Sequence, residues 1–191
     1  MSSAKSHKRK KKNLWPVWVF FITFVISFSL SFFAETVLPG VGLPVAILLL
    51  FLIILLGIIA DILGVAVMSG EMIAYNSMAS NRIKGAKESI ILIKKADLIS
   101  NICNDVIGDI CSIISGAMGA AIVAVTYTGG ESSTTLILNV LVSAMTAAMT
   151  VSGKAAGKTL GLKYSKQIVF FAGRILAVFM PQKRKGKRKK K

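Results

Sequence analysis

The sequence predicts an all-α polytopic membrane protein with four transmembrane helices, and three observations carry that prediction. Long apolar runs fill the middle of the chain, lysine-rich tails bracket them (Lys5 to Lys12 and Lys183 to Lys191), and the basic residues fall in blocks separated by stretches without Lys or Arg. A hydrophobic share of 54% and a mean hydropathy of +0.69 together with a formal net charge of +16 are a pairing that soluble globular domains rarely show.

The runs Trp15 to Val37, Val41 to Met68, Ile102 to Tyr127 and Thr135 to Val151 are each near or above the length of about 20 residues that a helix needs to cross a bilayer. The three basic blocks are residues 1–13, the stretch Arg82, Lys84, Lys87, Lys94, Lys95, and everything from Lys154 onward. The linkers Glu35 to Gly40 and Thr126 to Ser133 carry only Glu35 and Glu131. An even number of crossings with both termini inside places every basic block in the cytoplasm, as the positive-inside bias requires, and the location expected is the plasma membrane. A secretory signal peptide has the same basic-then-apolar outline, but the first run is too long and Phe32 spoils the small-x-small pattern before Ala34, so a retained anchor is expected.

The organisation that follows is a basic tail (1–13), a four-span membrane domain (14–161) with juxtamembrane helices at 72–100, an interfacial amphipathic helix (162–181) and a second basic tail (182–191). Between the second and third spans, Ala86, Ile90 and Ile93 form an apolar stripe at helical spacing, with joints expected at Ser80-Asn81 and Ala96-Asp97, residue types that cap helices. Lys163, Lys166, Gln167 and Arg174 share one narrow face of the last helix, which Pro181 would end. The tails, being next to membrane spans, are expected to bind anionic lipid headgroups at roughly 1 kcal/mol per charge, and no nucleic acid.

Catalytic chemistry finds no candidates. His7 lies in the lysine tail, Cys103 and Cys111 are expected to be free thiols, and no zinc spacing, phosphate-binding loop or nucleophile elbow is present, so no enzyme activity is expected. The chemistry-bearing residues are polar groups within the spans, each costing ~2.5 to 3.5 kcal/mol to insert. Asp61 lies in the second span and Asn101, Asn104, Asp105 and Asp109 in the third, while the fourth closes with Lys154. Asp109 lies about 12 Å in from Asn101, and Asp61 a similar depth from Ser69, so these groups are expected to meet in the cytoplasmic half. Asn101, Asp105 and Asp109 recur every fourth residue and share a face of an α-helix. Gly108, Ser112, Gly116 and Ala120 form an adjacent small-residue strip, and Gly153, Gly157 and Gly161 a second one, patterns that allow close helix packing in lipid. Two outcomes stay open. Oxygen ligands without sulfur or imidazole suit Mg²⁺; alternatively, Lys154 pairs with Asp105 or Asp109 and holds two helices in register.

Between Ile47 and Pro181 the chain resembles the membrane domain of the CNNM/CorC (CorB) family of Mg²⁺ and Co²⁺ transporters. The segments that carry the likeness are Asn81-Arg82-Ile83-Lys84-Gly85-Ala86-Lys87, Leu98-Ile99-Ser100 leading to Asn104, and Gly153-Lys154-Ala155-Ala156-Gly157-Lys158-Thr159-Leu160. The resemblance implies a bound, transported cation held by Asp61, Asn104 and the residue at Lys154. Ser69-Gly70-Glu71 is a rival to Asp61 for the family's S-E pair. It also implies export or homeostasis of Mg²⁺ and a homodimer, for which the glycine strips are the expected contact. Lys154 stands where the family has Glu, and an ammonium repels a cation or takes its place as a built-in counter-ion; Asp105 and Asp109 are the carboxylates that would compensate. Gly157 replaces a family proline, the first span has no counterpart, and no nucleotide-binding CBS pair follows. The expected function is thus a divalent-cation transporter, and its alternative a non-transporting scaffold or accessory subunit neutralised by Lys154.

Overall fold

A computed structural model describes residues 15–37, 40–126 and 132–179; the lysine tails, His7, Glu131 and Pro181 lie outside them. The described residues are helical throughout, without strands. They form α1 (Trp15–Val37), α2 (Leu43–Met68), α3 (Met72–Ser80), α4 (Ala86–Lys94), α5 (Ala96–Asn101), a π-helical stretch (Ile102–Gly108), α6 (Asp109–Thr126), α7 (Ser132–Lys163) and α8 (Ser165–Phe179).

Among the described residues three helices are long and apolar enough to cross a membrane: Leu43–Met68, the continuous Ala96–Thr126, and Ser133–Lys163. The apolar part of α1, Val17–Phe33, is shorter. Two boundaries differ from expectation. The third crossing helix begins at Ala96 rather than Ile102, because α5 runs without interruption into the π-helical stretch. The fourth continues past Val151 through Gly153, Gly157 and Gly161 to Lys163. A glycine inside a helix costs about 1 kcal/mol relative to alanine. Packing offsets it here: a Cβ on Gly157 would lie 2.8 Å from Ile62 Cγ1, and one on Gly161 would lie 2.9 Å from the Ile62 carbonyl. A Cβ on Gly153 would strike Ile58. The whole strip is occupied by α2 of the same chain and is not a free surface for a second copy.

α2 is the central helix. It is apolar apart from Asp61, and its inward face is mostly small: Ala46, Gly57, Ala60 and Gly64 are buried together with Ile54 and Asp61, while Leu48, Phe51, Leu52, Leu55, Leu56 and Ile59 point outward. In lipid, apolar side chains gain nothing by leaving the tails for one another, so small residues that let backbones approach define the contacts. Toward the N-terminal end of α2, Ala46 packs with Ile110, Ile114 and Met118 of α6.

At the other end, α3, α4 and α8 form a collar around the last turns of α2, with Ala66, Val67, Tyr75 and Val169 fully buried and Ile90, Ile93 and Ile99 packed against them. The stripe Ala86, Ile90, Ile93 faces this cluster, and the breaks between helices fall at Asn81–Gly85 and at Lys95. Tyr75 Oη donates to the Lys166 carbonyl at 3.1 Å, tying α3 to α8, and burial pushes its phenol pKa up. α4 and α8 cross on glycines. Gly85 has φ +94°, a conformation that only glycine takes without strain, and a Cβ there would lie 2.9 Å from the Arg174 backbone. Ser89 Oγ bridges the crossing, donating to the Gly85 carbonyl at 2.9 Å and lying 3.2 Å from that of Val169.

Candidate functional site

The polar centre sits where α2, the π-helical stretch and α7 meet. A π-turn closes i→i+5 hydrogen bonds, which opens the ladder and frees a carbonyl; such turns are frequent at functional sites. The last carbonyl of this stretch is that of Gly108. It accepts from Lys154 Nζ at 2.9 Å and from Ser112 Oγ at 2.7 Å. Gly108 has no side chain to block the ammonium: a Cβ at that position would lie 3.4 Å from Lys154 Nζ and 3.7 Å from Asp61 Oδ1. The same point therefore borders the buried carboxylate of α2 and the lysine of α7.

The wider turn also redistributes the residues that α-helical spacing would place on one face. Asn104 turns inward against Gly64, close enough that any Cβ on Gly64 would collide with its carboxamide, and its Nδ2 donates to Ser100 Oγ at 3.2 Å. Asp105 turns toward α1 and lines a cleft with Thr23 and Ser27. Asp109 points outward with its side chain 66% exposed and lies 3.5 Å from Lys154 Nζ. Asn101 is exposed. The expected gathering of Asp61, Asn104, Asp105 and Asp109 does not occur: among the described residues no three acidic, histidine or cysteine side chains converge as a metal cage would require. The physical reason is the π-turn, which breaks the four-residue repeat on which the shared face depended.

Asp61 and Asn104 do belong to one centre. Asp61 is almost completely buried, and its counter-charge is Lys158 on α7, with Nζ 3.8 Å from Oδ2. That separation is longer than a hydrogen bond, so the attraction acts through space. Asp61 Oδ2 and Asn104 Oδ1 are buried acceptors without a hydrogen-bond donor.

Lys154 reaches inward, as the ion-pair outcome required, and its partner is Asp109 rather than Asp105. Because Asp109 is largely exposed, this pair is not the fully buried one that would cost 3 to 5 kcal/mol to break; an exposed pair contributes about 1 kcal/mol or less. Lys158, one turn beyond Lys154 on the same face, is the residue that spacing alone identifies and that composition hides. Gly57 and Gly64 flank Asp61 on its own face, and a Cβ on Gly57 would lie 2.9 Å from Cys111 Cβ. Gly116 of the predicted strip faces open space, and the close contact from α6 to α7 is made by Gly119, 3.1 Å from Thr146 Oγ1 at its Cβ position. Cys103 and Cys111 are both free and buried.

Comparisons with protein-family models, with curated proteins and with solved structures find no match.

Proposed function

We propose that the chain is a four-span protein of the plasma membrane, with both termini cytoplasmic, that works as a non-transporting scaffold or accessory subunit. The observation that carries this reading is the Lys154 ammonium seated on the Gly108 carbonyl at the meeting point of three helices. In a CorB-like domain that centre would receive a cation from the cytoplasm. Here two ammonium groups of the chain, Lys154 and Lys158, stand beside the two acids Asp109 and Asp61. Fixed in place by α7, they neutralise the centre and repel a second cation. The tails then supply anchorage, each basic residue near an anionic leaflet adding roughly 1 kcal/mol of attraction.

A second reading, a Mg²⁺ or Co²⁺ transporter similar to CorB, draws on Asp61 Oδ2 and Asn104 Oδ1, two of the three buried side-chain oxygens without donors among the described residues. Oxygen atoms of a carboxylate and a carboxamide suit a hard divalent cation as substrate, and displacement of Lys158 would open the position. Neither Asp105 nor Asp109 belongs to that set.

One experiment separates the two. The full chain is reconstituted into vesicles loaded with a Mg²⁺-sensitive dye, and influx is compared for wild type, Asp61→Asn and protein-free vesicles. The scaffold reading expects wild-type flux equal to that of the protein-free vesicles, and a Lys158→Ala variant less stable by about 1 kcal/mol, since Lys158 is more than half exposed and attracts Asp61 without a hydrogen bond. Saturable wild-type flux that Asp61→Asn abolishes overturns it in favour of transport.

A further inference from the structure

α8 has one packed apolar face and one free one. Val169 is fully buried against Ala66 and Val67 in the last turns of α2, and Gly173 meets Ser89 of α4. On the other side Phe171, Ile175 and Val178 are 66%, 45% and 75% exposed. At 3.6 residues per turn they stand roughly 180° to 240° round the helix from Val169, and so form one stripe. Arg174 borders that stripe, about 60° from Phe171, and is itself exposed.

α4 brings further cations to the same border. Gly85 approaches α8 so closely that a Cβ on it would lie 2.9 Å from Arg174 Cα and 3.2 Å from Arg174 Cβ. Lys84 and Lys87 flank Gly85 within two positions along the chain, and both are exposed, whereas Glu88, the acid of the same turn, is buried. Cations from two distant segments therefore share one patch beside an apolar stripe.

The depth of this patch decides what it meets. Only Tyr164 separates the end of α7 from the start of α8, and α8 packs on the last turns of α2, so it lies at the shared end of two helices long enough to cross a membrane. At headgroup depth an exposed apolar stripe reaches acyl chains and a cation beside it reaches phosphate. Charge opposes the protein alternatives. A second copy docked symmetrically on this face would set Arg174 and the two lysines of each chain against those of the other. The chain's own lysine-rich residues 183–191 would meet the same repulsion.

We propose that α8 and the start of α4 form a binding site for an anionic phospholipid, its phosphate held by Arg174 with Lys84 and Lys87 and its acyl chains lying along Phe171, Ile175 and Val178. The site is distinct from the Asp61 centre and from the lysine tails. It rests on the reading of the chain as membrane-spanning, which both functions proposed above share.

The test places the photoreactive p-benzoylphenylalanine at position 171 of the full chain, reconstituted into vesicles of equal parts phosphatidylglycerol and phosphatidylcholine, and identifies the adducts formed on illumination by mass spectrometry. Lipid adducts are expected, with phosphatidylglycerol favoured on the order of fivefold, the factor that one charge near an anionic headgroup supplies. Replacing Arg174, Lys84 and Lys87 together by Gln should lower that ratio to about twofold or less, and Arg174→Lys alone should keep it. The three side chains are exposed, so the triple variant keeps its helices, which circular dichroism checks. An unchanged ratio in the triple variant would assign the preference to the lysine tails and overturn the site. Adducts to a second copy or to the chain's own residues in place of lipid overturn it as well. Alkaline carbonate tests the membrane reading separately: a chain that it extracts overturns that reading and this site together, whereas a chain that stays inserted and forms no lipid adduct overturns the site alone.

Discussion

α1 and α2 are apolar helices of similar length, 23 and 26 residues, yet they occupy the molecule in opposite ways. α1 carries Phe20, Phe24, Phe28 and Phe32 as a stacked ladder, each ring about three-fifths exposed or more, and it touches the rest of the chain mainly through α6. α2 is surrounded by α5, α6, α7 and α8, and the surfaces it offers them are Gly57, Ala60, Asp61 and Gly64. Hydropathy marks both helices as apolar and says nothing about which one is central. Small residues and one buried acid make that choice, because close backbone approach and polar contacts are the forces left when every alternative neighbour is equally oily.

The largest effect that separates the two helices is expected at Gly161. The atom facing it on α2 is a backbone carbonyl, which cannot rotate away, so Gly161→Leu should destabilise the protein by about 3 kcal/mol, the upper end for overpacking. Gly116→Leu is the matched control. Its Cβ direction is open, and the same enlargement there should leave the unfolding midpoint in detergent within about 0.5 kcal/mol of wild type. Equal losses at both sites would mean that helix propensity, and not the α2–α7 approach, governs these glycines.

A smaller loss is expected at Gly64→Ala. The added methyl takes the space of the Asn104 carboxamide, which must move and give up its bond to Ser100; about 1 to 2 kcal/mol is at stake. Since the collision is with a side chain, Asn104→Ala should restore most of the stability of Gly64→Ala. A double-mutant cycle measures this, and additive losses would show that the two residues do not share the space.

The residues that shape this centre were legible in the sequence to different degrees. Asp61 and Lys154 stand out as charges next to apolar runs, and the Gly153, Gly157, Gly161 repeat announces a close approach without naming the helix it meets. The π-turn is where pattern reasoning fails. Ile102 to Gly108 read as ordinary helix, and no local propensity in these residues distinguishes i→i+4 from i→i+5 bonding. Asp105 lies toward α1 and Asp109 points outward, so two acids of one regular repeat end in separate surroundings. Lys158 is hidden for a related reason: as one of 24 basic residues its one mark is the four-residue spacing from Lys154, which counts only once α7 is seen to continue unbroken past Val151.

The smallest effect is expected in the aromatic ladder of α1. Phe28 is 64% exposed and stacks on Phe24 and Phe32, which are its own helical neighbours at i−4 and i+4. Phe28→Ala therefore removes only same-helix contacts, worth about 0.5 kcal/mol, and creates no cavity between helices. Denaturant unfolding in detergent should place it beside Gly116→Leu and well apart from Gly161→Leu. A loss of about 3 kcal/mol instead would be the cost of emptying a packed core position, and it would mean that the ladder is covered in the folded protein. α1 would then be a second packed helix rather than one held at the margin, and the contrast with α2 would no longer rest on the size of the residues each turns inward.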